Sequence, residues 1–286
     1  MDTTTLSPQT SARPATRAIV HRTAGRGHGP ITRLMSPSDL GELAKPFVFL
    51  DHFDDPSMRP AAMPLHPHSG IATLTYLMEG SIRYEDSTGA AGVLPPGSVE
   101  WMMAGGGVWH GGGAAAQGRV RGFQLWVAMP PALEHAPALS RYIGPESVPS
   151  VGPARVLLGQ YQGVEGAAPA PSPMTYLAVR LQAGERWRYQ PPPAHTVAWL
   201  AVSTGRLLAP GAIDAGEMAM FEDSGRAIEL HASQDAEFVI GSAVKHPHPL
   251  VLGNYSVHTS PAALRRGEDG IRQIDAGLGQ RRRVRF

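Results

Sequence analysis

The chain has 286 residues, which is enough for about two domains with sizeable hydrophobic cores. Its formal net charge of +1 gives no sign of a globally basic nucleic-acid-binding protein, so we expect no nucleic-acid partner. The absence of cysteine excludes disulfide bonds, thiolate catalysis and cysteine-ligated metals.

We expect no targeting segment in the first residues. Residues 1–16 are rich in Ser, Thr and Pro and lack an apolar stretch, so they are predicted to be a disordered N-terminus. No hydrophobic run of about 18 residues occurs along the chain, which predicts no membrane span and no membrane partner. We therefore expect a cytoplasmic protein.

Short elements are predicted in the first part of the chain. Residues 18–21 favour a strand, the glycine-rich segment 25–30 favours a loop, and residues 36–40 favour a single helical turn. Residues 47–53 form an apolar run that is typical of a buried strand. His52 lies in that run, and we expect it to be a hydrogen-bonded structural histidine rather than a ligand.

The segment His66-Pro67-His68 contains two histidines separated by one residue. Side chains at i and i+2 of an extended segment point the same way, and Pro67 favours an extended backbone, so both imidazoles can reach one point in space. If the alternation continues through Gly70, the histidines share the apolar interior face of the next strand and lie at the mouth of a barrel. That face consists of Ala72, Leu74, Tyr76 and Met78.

A third histidine follows a glycine-rich corner. The predicted strand 99–103 leads into glycines at 105–107, and His110 comes shortly after them. A strand pair with a turn at 95–97 fits between His68 and His110, so an antiparallel barrel can bring the histidines together. Imidazole ligands suit Fe, Zn, Cu or Ni. We predict a divalent-metal site formed by His66, His68 and His110.

Two blocks of the sequence resemble the signatures of the pirin family. They are the segments 66–80 and 97–110, and shorter blocks at 50–53 and 124–127 are also similar. The resemblance is dense from about residue 47 to 127 and thinner over the rest. It implies an all-β fold of two cupin (double-stranded β-helix, or jelly-roll) barrels that face each other, with a short C-terminal helix. It also implies one metal ion, usually iron, in the N-terminal barrel.

The resemblance fails at a carboxylate ligand. The family has a glutamate two residues after the third histidine, where this chain has Gly112, and Ala72 replaces the glutamate of the general cupin motif. Glu100 and Glu134 are candidate substitutes, and Glu134 is expected to be a solvated loop residue. If the missing carboxylate limits catalysis, Gly112→Glu should raise activity, at a cost of about 1 kcal/mol for a Cβ at positive φ.

The second half repeats the β pattern of the first. An Ala-, Pro- and Gly-rich stretch at 163–173 marks the expected boundary between a metal-site cupin domain (17–163) and a second cupin domain with a helix and basic tail (174–286). Residues 139–143 are predicted as a helical or irregular connector, and strands are predicted at 174–181, 195–203, 217–221, 227–231 and 237–244.

Two motifs near the C-terminus complete the sequence. His246-Pro247-His248 repeats the histidine string without a later glycine corner and histidine, so we interpret it as a loop. Ser260 followed by Pro261 is typical of a helix start, and the helix is expected to run to about residue 274.

Two functions from different classes are expected. The resemblance implies a metal-dependent dioxygenase of the quercetinase kind, which would use O2 on a small aromatic, flavonol-like substrate. The alternative is a non-catalytic pirin that acts as a regulatory module through a protein partner, with its metal retained or lost. Three neutral imidazoles leave the charge of a divalent cation uncompensated, and no carboxylate base is at hand at position 112.

Overall fold

The structure is a computed structural model that describes residues 17–60 and 63–284, without the side chains of Met63 and residues 279–284. The predicted disorder of residues 1–16 lies outside the described residues. Within these ranges the α-helices are α1 (Leu40–Ala44) and α2 (Pro261–Val284), with a 3₁₀ turn at Pro145–Ser147. The predicted all-β class is confirmed.

The first half contains two antiparallel sheets. Its strands are β1 (Ile19–Thr23), β2 (Arg26–His28), β3 (Ile31–Met35), β4 (Phe47–Met58), β5 (Met63–His68), β6 (Ile71–Glu79), β7 (Ile82–Asp86), β8 (Ala91–Leu94), β9 (Val99–Met103), β10 (Val108–Ala114), β11 (Gly118–Ala128) and β12 (Leu139–Ile143). A seven-stranded sheet has the order β12-β9-β6-β11-β4-β3-β2, and a four-stranded sheet has the order β5-β10-β7-β8. Leu77, Leu94 and Ala114 pack between these two sheets.

The second half has the same two-sheet plan. Its strands are β13 (Ser150–Val151), β14 (Ala154–Tyr161), β15 (Val164–Glu165), β16 (Met174–Leu181), β17 (Arg186–Tyr189), β18 (Val197–Thr204), β19 (Arg206–Ala209), β20 (Gly211–Asp214), β21 (Met218–Phe221), β22 (Ile228–Ala232), β23 (Ala236–Ala243), β24 (Val251–Gly253) and β25 (Ser256–His258). The large sheet has the order β1-β21-β18-β23-β16-β14-β13, with β15 beside β14, and it faces the sheet β17-β22-β19-β20. β24 and β25 form a separate hairpin.

The N-terminal segment contributes strands to both barrels. β1 pairs with β21 of the second barrel, whereas β2 and β3 extend the large sheet of the first. β14 pairs with β16, so the large sheet of the second barrel already begins at Ser150. The predicted boundary at 163–173 stays a prediction, and the hydrogen-bonded sheets change between Ile143 and Ser150.

The two large sheets pack face to face, which makes the barrels face each other as expected. One continuous core contains side chains from both halves, among them Leu74, Phe123, Tyr176 and Val239. Its aromatic contacts include Phe47 against Trp199, edge to face, with ring centroids 5.4 Å apart. Burial of this shared apolar surface gives the two barrels a fixed relation.

The predicted register through Gly70 is wrong. Gly70 has φ 70 and separates β5 from β6, which belong to different sheets, so the alternation of side chains restarts there. The face predicted to continue from the histidines packs against the second barrel instead. It consists of Ala72, Leu74, Tyr76 and Met78. The opposite face of β6, with Thr75 and Leu77, is the one that faces the histidine-bearing sheet.

Two local predictions also need correction. Residues 26–28 lie in the predicted loop but form the edge strand β2, because the turn at Gly29 folds them back onto β3. Residues 139–143 are strand β12 rather than a helical connector, because they pair along the whole of β9. In both segments, hydrogen bonds to a neighbouring strand outweigh the weak local preference of the sequence for a loop or helix.

Helix α2 starts where the sequence predicts. The hydroxyl of Ser260 accepts a hydrogen bond from the backbone N–H of Ala263 (3.2 Å), which caps the helix, and Pro261 is its first residue. The helix runs to Val284 rather than to about residue 274, since no proline interrupts residues 275–284. The helix packs on the first barrel, where Trp109 Nε1 donates to the carbonyl of Ile271 (3.1 Å).

Candidate metal centre

The three predicted ligands lie on one face of a strand pair. β5 and β10 are antiparallel neighbours in which His110 lies opposite His66, and Val108 lies opposite His68. His68 is therefore one step along the same face from the His66–His110 pair. The structure brings the three side chains together, and their role as metal ligands stays a prediction.

The imidazoles converge at close range. His68 Nε2 lies 3.1 Å from His110 Nε2. The ring centroid of His66 lies 4.4 Å from that of His110 and 5.1 Å from that of His68. One nitrogen of each ring lies within 4.8 Å of the other two. This is a spacing from which three imidazoles can bind one cation.

Each ring is oriented at its Nδ1 by an oxygen acceptor, which is a backbone carbonyl for His66 and His68 and the Glu100 carboxylate for His110. The pairs are His66 Nδ1 with the carbonyl of Pro64 (3.2 Å), His68 Nδ1 with the carbonyl of Tyr255 (2.9 Å) and His110 Nδ1 with Glu100 Oε1 (3.2 Å). Each Nδ1 therefore carries the proton of a neutral imidazole, and each Nε2 presents a lone pair. Two such lone pairs face each other between His68 and His110, an arrangement that a shared cation would satisfy.

Burial keeps His66 and His68 neutral. It lowers the pKa of His66 and lowers the pKa of His68 well below its usual range, and the neighbouring His110 adds to both shifts. His66 and His68 are therefore uncharged at neutral pH. Neutral imidazole is the form that binds a metal.

Glu100 holds His110 from behind and does not join the Nε2 cluster. It is only 5% exposed, and its Oε2 lies 2.9 Å from the hydroxyl of Thr75, which donates to it. Such a carboxylate–histidine pair fixes the ring and raises its basicity as a ligand. Considered on sequence as a possible ligand, Glu100 is an orienting residue. The signal for this role was an acid within an otherwise apolar strand.

The structure corrects the expectation at Gly112. Gly112 is not at positive φ, so a side chain there meets no backbone strain of that kind. The obstacle is steric, because a Cβ on Gly112 would collide with the carbonyl oxygen of Arg83 on the adjacent strand β7. The family's glutamate is therefore excluded here by the close approach of β7 and β10.

Aromatic rings surround the histidine cluster. The ring of Trp126 lies 5.0 Å from that of His68 and stacks on Phe49 at 4.1 Å. Tyr255 lies 5.8 Å from His66 and is 47% exposed. Aromatic rings of this kind can stack on a flat apolar ligand.

The β24–β25 hairpin supports the cluster from the C-terminal end of the chain. Besides the Tyr255 carbonyl at His68, it provides Ser256, whose Oγ accepts a hydrogen bond from the hydroxyl of Ser69 (3.0 Å). Sequence reasoning missed this support. No local signal could reveal it, since the partners are separated by 187 residues.

Two other histidine sites contribute no ligand atom to the three-histidine cluster. His52 Nε2 bonds Ser203 Oγ of the second barrel (3.0 Å), as expected for a satisfied histidine. His246 and His248 lie in a loop, as predicted, and belong to no group of three metal-binding side chains among the described residues. A cavity of about 890 Å³ at the edge of the second barrel is lined by His195 but not by the three-histidine cluster.

Comparisons with known proteins agree with the fold. The family model described as Pirin matches residues 30–127. A Pseudomonas aeruginosa protein named "Putative quercetin 2,3-dioxygenase PA3240" is 33% identical over 247 residues, which cover 79% of this chain and 86% of that protein. A Vibrio cholerae protein, "Putative quercetin 2,3-dioxygenase VC_A0969", is 31% identical over 81% of this chain and 86% of its own.

Solved structures show the same fold. A quercetin 2,3-dioxygenase from Acinetobacter baumannii has a TM-score of 0.83 at 23% identity, covering 89% of this chain and 96% of its own. The bacterial pirin YhhW of Escherichia coli in complex with nickel(II) has a TM-score of 0.63 at 18% identity. The match covers 80% of this chain and 96% of that chain. The predicted fold of two cupin barrels with a C-terminal helix is confirmed.

The membrane prediction concerns helices. Within the described ranges, no helix combines the length and the apolar character needed to cross a bilayer. The cytoplasmic location stays a prediction from the sequence.

Proposed function

Because this chain belongs to the pirin family, we propose that it is a metal-dependent dioxygenase for a flat, flavonol-like substrate, with His66, His68 and His110 as metal ligands. The observation that carries the proposal is the convergence of three imidazoles whose Nδ1 atoms all face oxygen acceptors. With the protons held at Nδ1, the Nε2 lone pairs of His68 and His110 meet at 3.1 Å. These donors fit a divalent cation.

The donor chemistry favours a borderline metal. Imidazole ligands suit Fe, Zn, Cu or Ni, and the E. coli relative whose structure contains nickel(II) supports a divalent ion. We propose iron, as the resemblance implies. When bound, such a cation would favour the anionic form of a hydroxylated substrate, and it would offer a binding position for O2.

The protein's own side chains would bind and orient the substrate. Trp126 and the exposed ring of Tyr255 flank the histidines, where they can stack on a planar aromatic molecule. Glu100 keeps the proton of His110 at Nδ1 and is too far behind the ring to serve as a base at Nε2. An acidic phenol such as a flavonol needs less help from a protein base, which suits a site without the glutamate at position 112.

A non-catalytic role is the second candidate, and one observation favours it. The carbonyl oxygen of Arg83 occupies the space that a side chain at Gly112 would need, so a glutamate at this position would clash with it. In that case the protein would bind metal and act through a protein partner.

Oxygen uptake separates the two candidates. Iron-loaded protein is mixed with a panel of flavonols under air, and O2 consumption is followed together with loss of flavonol absorbance. The dioxygenase proposal expects the two to fall in equal amounts, and expects His110→Asn to abolish both. Iron-loaded protein that consumes neither across the panel would favour the non-catalytic role.

A further inference from the structure

A second group of metal-binding side chains lies on the other side of the His68–Ser69 segment. Glu134 and His135 lie in the turn after β11, and His258 is the last residue of β25. One ligand atom of each lies within 4.8 Å of the other two. Glu134 is only 4% exposed, so the expectation of a solvated loop acid is wrong, because the C-terminal hairpin covers it.

One orientation of the Ser69 hydroxyl leaves His258 able to bind a cation. In that orientation the hydroxyl of Ser69 donates to Ser256 Oγ (3.0 Å). Ser69 Oγ then accepts a hydrogen bond from His258 Nε2–H at 2.9 Å. The neutral ring keeps a lone pair on Nδ1, which faces Glu134 Oε2 at 3.2 Å. A positive charge between Nδ1 and Oε2 would satisfy both acceptors.

His135 decides what that charge is. Both of its ring nitrogens are buried, and neither has a hydrogen-bond partner among the described residues. Its ring stacks on that of His258 with centroids 5.1 Å apart. A proton on His258 would satisfy Glu134 but would leave the buried ring nitrogens of His135 unpaired, which is unfavourable for buried polar groups. A cation bound by all three residues satisfies the whole group.

We propose that Glu134, His135 and His258 bind a second divalent cation, for which Zn²⁺ is the best match. Two histidines and one glutamate form a common zinc-binding set. The carboxylate is already oriented, because the backbone N–H and the hydroxyl of Thr259 both donate to Glu134, at 2.9 Å and 2.8 Å.

The surroundings indicate a structural role for this second site. Two residues of opposite charge act on the group, Arg266 on His135 and Glu268 on His258. Burial of Glu134 and His258 leaves little room for a substrate. The cation would join the turn after β11 to the C-terminal hairpin that supports His68.

Zinc counting tests the proposal on the full chain. Protein saturated with ZnSO4 and then dialysed should hold two Zn²⁺ per chain. His110→Asn and His135→Asn should each hold one, the double variant none, and His28→Asn, at an exposed position, should still hold two. If the first site binds no zinc, the unsubstituted protein holds one, which His135→Asn removes.

A second measurement needs no substitution in the proposed site. Co²⁺ added to the His110→Asn protein should give a ligand-field absorption band that saturates at one equivalent and disappears on addition of Zn²⁺. The proposal is overturned if His110→Asn binds neither ion, or if His135→Asn binds zinc with the stoichiometry and affinity of the unsubstituted protein.

Discussion

At the residue scale, the candidate centre depends on hydrogen bonds behind the ligands as much as on the ligands. The three Nδ1 partners are two backbone carbonyls and one carboxylate, so Glu100 is the one that mutation can remove without moving the chain. Glu100 also marks the limit of prediction from sequence. Its place in a predicted strand could be read from the sequence, but its contact with His110 could not.

Glu100→Gln should weaken metal binding at the three-histidine site by about 10–100-fold, because the loss of the carboxylate frees His110 to rotate and lowers its basicity. Glu85→Gln is the matched control, since Glu85 is exposed on the adjacent strand β7. Isothermal titration calorimetry with Ni²⁺ measures the metal affinity of both variants. Equal affinities in the two variants would show that Glu100 does not support metal binding through His110.

Gly112→Ala should lower the free energy of unfolding by about 1–3 kcal/mol, since its Cβ must displace the backbone of β7 at Arg83. Gly27→Ala is the control, because a Cβ there meets nothing within 4 Å. Urea denaturation compares the two. For the same reason Gly112→Glu should bring no gain in activity. A stable Gly112→Glu protein with higher turnover would contradict this, because it would mean that the backbone of β7 can move away from the new side chain at little cost.

At the element scale, the sequence predicted most strands of both barrels because their apolar patterns are strong and turns separate them. It missed what depends on distant partners. β12 forms because β9 offers an edge, and the β24–β25 hairpin supports His68 from across the chain. The register after Gly70 failed for a local reason, since one residue at positive φ ends the alternation.

Two glycines of α2 should respond in opposite ways to alanine. A Cβ on Gly267 would collide with His258 and Ser69, so Gly267→Ala should destabilise the protein by about 1–3 kcal/mol. Gly277 has nothing within 4 Å, so Gly277→Ala should stabilise it by up to about 1 kcal/mol through helix propensity. Thermal unfolding measures both. Parallel shifts would mean that the Gly267 face of α2 is not packed on the hairpin.

At the scale of the whole molecule, polar contacts reinforce the apolar interface between the barrels. Arg121 of the first barrel donates to Ser203 (2.7 Å) and to Glu237 (2.6 Å) of the second, and His52 bonds the same Ser203. Burial lowers the pKa of His52 to about 4, with Arg121 among the charges that add to the shift. The interface therefore contains a histidine that stays neutral when folded.

The stability of this interface should fall as the pH falls. Between its unfolded pKa of about 6.5 and the folded value, the unfolded chain binds a proton at His52 that the folded chain does not. Between pH 7 and pH 5, the free energy of unfolding should fall for the unsubstituted protein. For His52→Gln we expect this fall to be smaller by about 2 kcal/mol. His28→Gln, at an exposed position, controls for the loss of an imidazole. Superimposable pH profiles of urea denaturation for all three proteins would contradict this.

The central claim is that His66, His68 and His110 bind one divalent cation through their Nε2 atoms. Anomalous diffraction from iron-loaded crystals, recorded at the iron absorption edge, tests it directly. The account predicts a peak roughly 2.1 Å from each of the three Nε2 atoms, while the Nδ1 atoms keep their contacts with Pro64, Tyr255 and Glu100. A map without a peak between the three rings, or with an ion bound at Nδ1, would contradict it.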